Sequence, residues 1–127
     1  MSSDVTLINI SMQNKFDDIV VNQLSTVGVY IIIAVLEERG YDVNFFEHLL
    51  NHRKGLEEEI ELFMDELQGS ADVIAIGCHS VHLPFVLYAT NEIKRRWPHK
   101  KVILGNVGPS IIAQELMECF PQVDAVV

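Results

Sequence analysis

The sequence predicts a single α/β domain, doubly wound about a parallel sheet. Short apolar runs alternate with longer segments of helical periodicity, and Gly or Pro marks most of the boundaries between them. The chain has 127 residues and is 49% apolar, enough for one domain with a substantial core.

Val5 to Ile10 (VTLINI) is apolar, ends in polar residues and reads as a central strand. Ser11 to Gln23 is polar and irregular and predicts a long loop. Ser25 to Arg39 predicts a helix. Its β-branched content favours a strand, but its length, the Glu37-Glu38 pair and the stop at Gly40 favour a helix. That helix is apolar nearly all round and is expected to be deeply covered. Asp42 to Phe46 is the second strand. In KGLEEEIELFMDELQG, Leu56, Ile60, Phe63 and Leu67 recur at helical spacing between glutamates, and Gly69 closes the helix.

Asp72 to Cys78 (DVIAIGC) is apolar as a strand covered on both faces should be. Pro84 suits the first turn of a helix running to about Trp97, with Val86, Thr90, Ile93 and Trp97 as its inner stripe and Pro98 as its stop. Lys101 to Leu104 (KVIL) is a buried strand, Gly105 to Pro109 a tight turn, and Ser110 to about Cys119 a helix. Val123 to Val127 is the last strand. Alternation of this kind implies right-handed crossovers and a three-layer arrangement. The expected fold is flavodoxin-like and Rossmann-like, with five parallel strands in the order 2-1-3-4-5. The apolar last strand has no helix after it to cover the sheet edge, so residues 1–127 are expected to be one domain of a longer chain.

Composition excludes several functions. The formal charge of −9 repels a phosphate backbone and an anionic membrane surface. Cys78 and Cys119 are far apart and in no recognised spacing, which predicts a reduced, cytoplasmic chain. Met1 to Asp4 lacks a basic n-region, and the apolar run Val27 to Leu36 falls well short of the ~20 residues that span a bilayer.

In open α/β sheets, ligands bind outside the carboxyl ends of the strands at the topological switch point. Three loops form that rim: one from Ser11 to Ser25, opening with Ser11 and Met12, one from Cys78 to Pro84, and one from Gly105 to Ser110. Glycines directly after a strand let backbone approach a ligand, although a plain tight turn would use the same residues. Cys78, His79 and His82 are ligating types, but a Cys-His-x-x-His without a second cluster does not make a four-ligand site, and no metal is assigned. The acidic residues of a phosphoacceptor domain are missing after strands one and three. Ser11 to Lys15 is a poor flavin phosphate loop, and neither G-x-G-x-x-G nor a P-loop is present. No acidic partner can be assigned to Cys78 with His79 or His82, so no catalytic residue is predicted.

With these loops placed, the sequence resembles the N-terminal cobalamin-binding domain of B12-dependent radical SAM enzymes, among them anaerobic magnesium-protoporphyrin monomethyl ester oxidative cyclases. The resemblance rests on VTLINI, GVYIIIAVLEERGYDVNFFE, ADVIAIGCHSVHLP, NEIKRRWPHKKVILGNVGPS and VDAVV, and it covers nearly the whole chain. It implies that loops after strands three and four cradle the nucleotide tail of cobalamin. The matching positions are His79, Ser80 and Val81, then Gly105, Asn106, Val107 and Gly108. The family usually has Gly-Gly where this chain has Gly105-Asn106. The Asp-x-His-x-x-Gly of methionine-synthase-like relatives is absent, and no histidine precedes Glu47, so the resemblance implies no histidine ligand to cobalt from the first loop.

The resemblance further implies a C-terminal radical SAM domain in the parent chain, of methyltransferase or oxidative cyclase type. The [4Fe-4S] cluster and S-adenosylmethionine would belong to that domain, and this one would present a corrinoid to it. Two alternatives stand beside this expectation. One is a degenerate relative kept as a scaffold or interaction domain, and the other is a stand-alone small-molecule sensor.

Overall fold

The structure is a computed structural model that describes residues 3–12, 19–51 and 54–127, with backbone only at residue 12 and residues 19–27. The elements are β1 (Val5–Met12), α1 (Ile19–Glu38), β2 (Val43–Leu50), α2 (Leu56–Glu66), β3 (Val73–Gly77), a 3-10 turn (Ser80–His82), α3 (Leu83–Arg96), β4 (Lys101–Gly105), α4 (Val107–Ile111), α5 (Ala113–Cys119) and β5 (Ala125–Val126). All pairings are parallel, in the order β2-β1-β3-β4-β5, as the alternation of elements predicts. Among the described residues, no helix is long and apolar enough to cross a membrane.

The two faces of the sheet differ. Strand residues alternate between faces, and Ile8, Ile10, Ile74, Ile76, Val102 and Leu104 all point to one of them, where each is almost fully buried. Phe63, Met64 and Leu67 from α2, Phe85, Val86, Ala89 and Ile93 from α3, and Leu116 from α5 complete that core. Each Ile, Val, Leu, Phe or Met side chain among them contributes roughly 1.5–3 kcal/mol through burial. Among the described elements, α1 alone covers the opposite face, with Tyr30 packed edge-on against Phe45 of β2 at 5.8 Å.

This asymmetry overturns two expectations. α1 is not deeply covered: Tyr30 is 57% and Ile31 60% exposed, and Ile32 and Val35 are also open. β3 is fully covered on one face only, because Val73, Ala75 and Gly77 are half-buried while Ile74 and Ile76 are sealed. The stripe of α2 holds at Phe63 and Leu67 but not at Leu56, which is exposed in the first turn. In α3, Val86, Thr90 and Ile93 are buried as expected, and Trp97 is half-buried just past the helix end.

Several boundaries also move. β1 runs on through Ser11 and Met12, and α1 begins at Ile19, so the predicted loop over 11–23 is shorter. Residues 13–18 of that loop lie outside the described residues. β2 extends to Leu50, past Glu47 and His48, which broke the apolar pattern. Both polar residues are tolerated because both are partnered. Glu47 accepts hydrogen bonds from Asn9 and Ser11, and His48 lies between Glu59 and Glu66. The helix expected from Ser110 starts at Val107 and is broken at Ile112, where φ is −119° and ψ 34°. β5 is reduced to two residues, although the Asp124 and Val127 amides still bond to the Val102 and Leu104 carbonyls.

Candidate functional site

The switch point of this sheet lies between β1 and β3. One row of register partners crosses it near the carboxyl rim: Glu47 on β2, Asn9 on β1, Gly77 on β3 and Gly105 on β4. In a parallel sheet, register partners point to the same face, here the one toward α1. The two glycines therefore leave a stretch of floor without side chains. A Cβ on Gly77 would meet Asn9 Oδ1 at 3.7 Å and the Asn106 Cβ at 3.8 Å, so these two asparagines flank the gap.

The floor continues down the strands through Ala75 and Val73, from Gly77 to the amino end of β3. At ~3.3 Å per residue that run is about 13 Å long. Val29, Ile32 and Leu36 of α1 form the roof, and Leu7 and Ile103 flank the floor. The cleft between them, open on one side, has a volume of about 440 Å³. Its depth is aliphatic, Asn106 supplies the polar side chain of its lining, and Asn9 and Ser11 lie buried beside it. Asn9 is only 1% exposed and donates through Nδ2 to Glu47 Oε1 at 3.4 Å. Ser11 Oγ donates to the same oxygen at 3.1 Å. An apolar cleft of this size with a few converging polar groups is the usual form of a small-molecule site.

The two rim loops are fastened together beside the mouth. The Cys78 amide bonds to the Gly105 carbonyl and the Gly108 amide to the Cys78 carbonyl, both at 3.3 Å. They open side by side, as the switch-point argument requires. Asn106 adopts φ 77° and ψ −178°, a region otherwise almost restricted to glycine. Its Oδ1 accepts from the Val107 amide at 2.8 Å and caps α4. The left-handed backbone expected of a glycine is therefore retained in Gly105-Asn106.

The residues singled out from the sequence fall in different places. Gly105 and Asn106 line the cavity. Ser11 is buried at the end of β1, on the same face as Asn9, and Met12 follows it with its side chain outside the described residues. His79 is half-buried before the 3-10 turn. Ser80 and Gly108 line a shallower hollow of about 340 Å³ with Leu83, Pro84 and Ile111. Val81 is 74% exposed, and Val107 is exposed as well.

Sequence reasoning missed Asn9, Glu47, Ala75 and Gly77. A signal was present: within DVIAIGC the small residues Ala75 and Gly77 sit two apart, on one face, opposite Ile74 and Ile76.

The ligating types after β3 are dispersed. Cys78 points into the sealed core, where burial pushes its thiol up to about 12. His82 is buried too. Burial, with a smaller contribution from His79, lowers its pKa, and its Nδ1 lacks a hydrogen-bond partner. Among the described residues, no three acidic, histidine or cysteine side chains gather as a metal site would require.

Fold and site together define a doubly wound α/β binding domain with an apolar slot opening at its switch point. The family model of the B12 binding domain matches residues 18–127, and the chain belongs to that family. Membership implies a corrinoid as the ligand class. No curated protein matches the chain.

Proposed function

We propose that this chain holds cobalamin for a neighbouring radical SAM catalytic domain, with the nucleotide tail in the slot beneath α1 and the corrin ring over the carboxyl rim. The observation that carries this reading is the slot itself. A cavity of about 440 Å³, floored by Ala75, Gly77 and Gly105, is room that ordinary strand side chains would fill. A flat base on a short ribose-phosphate arm matches the length of its floor, about 13 Å.

Asn106, in the lining, and the exposed Glu47, held by Asn9 and Ser11 on the same face of the sheet, would meet the hydroxyl and amide groups near the mouth. His79, Ser80, Val81, Val107 and Gly108, which the resemblance places against the nucleotide tail, lie in the two loops fastened together beside the mouth and would flank the tail where it enters. Cobalamin would supply the cobalt chemistry. This chain's own residues exclude water from the base and fix the tail's direction. The radical SAM partner, with its iron–sulfur cluster and S-adenosylmethionine, rests on the sequence resemblance alone, as does the cytoplasmic setting.

The test is retention. The chain is mixed with hydroxocobalamin and passed through a desalting column. The expected result is a coloured protein fraction carrying about one corrinoid per chain. A colourless protein fraction would overturn the proposal and leave a scaffold of the same fold.

A further inference from the structure

The slot discriminates among corrinoids by their lower base. We propose that the chain prefers cobamides whose base is an apolar benzimidazole over those carrying a purine. The inference rests on the cobalamin reading above. Natural cobamides share one corrin ring and differ in the base at the end of the nucleotide arm. Dimethylbenzimidazole presents a carbocyclic ring with two methyl groups. Adenine presents two ring nitrogens and an exocyclic amine in the same place.

The depth of the slot offers those polar atoms nothing. Its lining there is Val5, Leu7, Ile32, Val73, Ala75 and Ile103, all aliphatic. The strand amides and carbonyls beneath are engaged in the ladders of the parallel sheet. Among the described residues, Asn106 is the polar side chain of the lining, and its Oδ1 is already bonded to the Val107 amide, while Asn9 and Ser11 lie outside the lining and are bonded to Glu47. A purine seated at this depth gives up water at three polar atoms and gains no partner. A benzimidazole shares the imidazole nitrogens, and where adenine has those three atoms it gives up only apolar hydration.

Apolar pockets reject added polar groups by limited factors. With several polar atoms left unmade, the expected preference is about tenfold to a hundredfold.

The test measures dissociation constants of the 127-residue chain for three corrinoids by calorimetry: cobalamin, the adenine-bearing cobamide, and cobinamide, which lacks the nucleotide. Cobalamin binding at least about tenfold tighter than the other two supports the inference. Equal binding of the two complete cobamides, with cobinamide weaker, overturns it and leaves the cobalamin reading standing. Equal binding of all three overturns it by showing that the slot does not take the nucleotide. Failure to bind any of the three overturns the cobalamin reading itself. Ala75→Leu fills the slot, and in this variant, shown folded by circular dichroism, cobalamin affinity is expected to fall to that of cobinamide. A retained difference would overturn the assignment of the base to the slot.

Discussion

The amide of Gly108 donates to the carbonyl of Cys78 at 3.3 Å, and this contact brings the start of α4 against the loop after β3. A Cβ at position 108 would stand 2.7 Å from the His79 carbonyl carbon and from the Ser80 amide nitrogen. Both neighbours are backbone, so the loops must part to admit it. Gly108→Ala is expected to lower stability by about 1–3 kcal/mol, the usual cost of overpacking. A urea titration checks this. A midpoint equal to that of the unaltered chain would mean the loops are not held this closely.

Asn106 gives a second prediction, with a contrast built into it. At φ 77° an ordinary side chain is strained, and the Asn106 side chain offsets this by capping the Val107 amide at 2.8 Å. Asn106→Gly trades the cap for relief of the strain and should change stability by only a few tenths of a kcal/mol. Asn106→Ala loses the cap and keeps the strain, and should cost about 1–2 kcal/mol. Thermal unfolding of the two variants checks the order. If alanine is the milder replacement, the backbone at this position is not left-handed.

The cysteines predict a chemical difference. Cys78 is fully buried, with its thiol pushed up to about 12, whereas Cys119 is exposed on α5. Only the thiolate reacts with an alkylating reagent, and only if the reagent can reach it. At pH 8 the folded chain should take up one iodoacetamide, at Cys119, and take up the second only in denaturant. Peptide mass mapping identifies the site. Rapid modification of Cys78 in the folded chain would contradict its placement in the core.

These residues also show what the sequence could reveal. Element order and strand order were legible because each strand is a compact apolar run bounded by Gly, Pro or charge, and crossover handedness then fixes the topology. The site was legible only in part. Loop position pointed to Gly105 and Asn106, but the slot is made by Ala75, Gly77 and the underside of α1, all inside regular elements. α1 illustrates the limit most directly. Its all-round apolarity reads as deep burial, yet Tyr30 and Ile31 are open while Val29 is buried, because α1 alone lies on its face of the sheet. Composition reports how apolar a helix is, not how many elements pack around it. β2 extends four residues past its apolar run for a related reason: Glu47 and His48 look like breakers until their partners on β1 and α2 are in place.

His48 supplies a prediction about those partners. Its Nδ1 lies 2.7 Å from Glu66 Oε2, its Nε2 lies 3.4 Å from Glu59 Oε2, and its ring stacks on Phe85 with centroids 5.7 Å apart. Glu59 is buried, and its other oxygen accepts from the Asn51 amide at 3.0 Å. His48→Phe keeps the stacking but removes the hydrogen bond to Glu66 and the polar contact with buried Glu59. The expected loss is about 1–3 kcal/mol, the cost of leaving a buried polar group without its partner. Adding Glu59→Leu should recover much of it, since the uncompensated group is then gone. Urea midpoints of the two single variants and the double variant test this, and strictly additive losses would refute the coupling.

Asp124 links the last strand to the core, and its pH behaviour follows from its contacts. Oδ2 accepts from Lys94 Nζ at 2.6 Å and from the Val102 amide at 2.8 Å. Partial burial raises the carboxyl pKa, but the hydrogen bonds from Lys94 and Val102 outweigh it and hold the group below its ordinary value. A carboxylate whose folded pKa is depressed stabilises the fold above its unfolded pKa of about 3.9, and this contribution disappears as pH falls through the folded value. Asp124→Asn should therefore cost about 1 kcal/mol at pH 7, a figure at the low end because solvent reaches the pair. The cost should shrink toward zero as the pH drops below 4. Chemical unfolding of both chains across pH 2 to 7 measures the difference directly. A gap that stays constant over that range would mean that the Asp124 charge contributes nothing to holding β5 against β4.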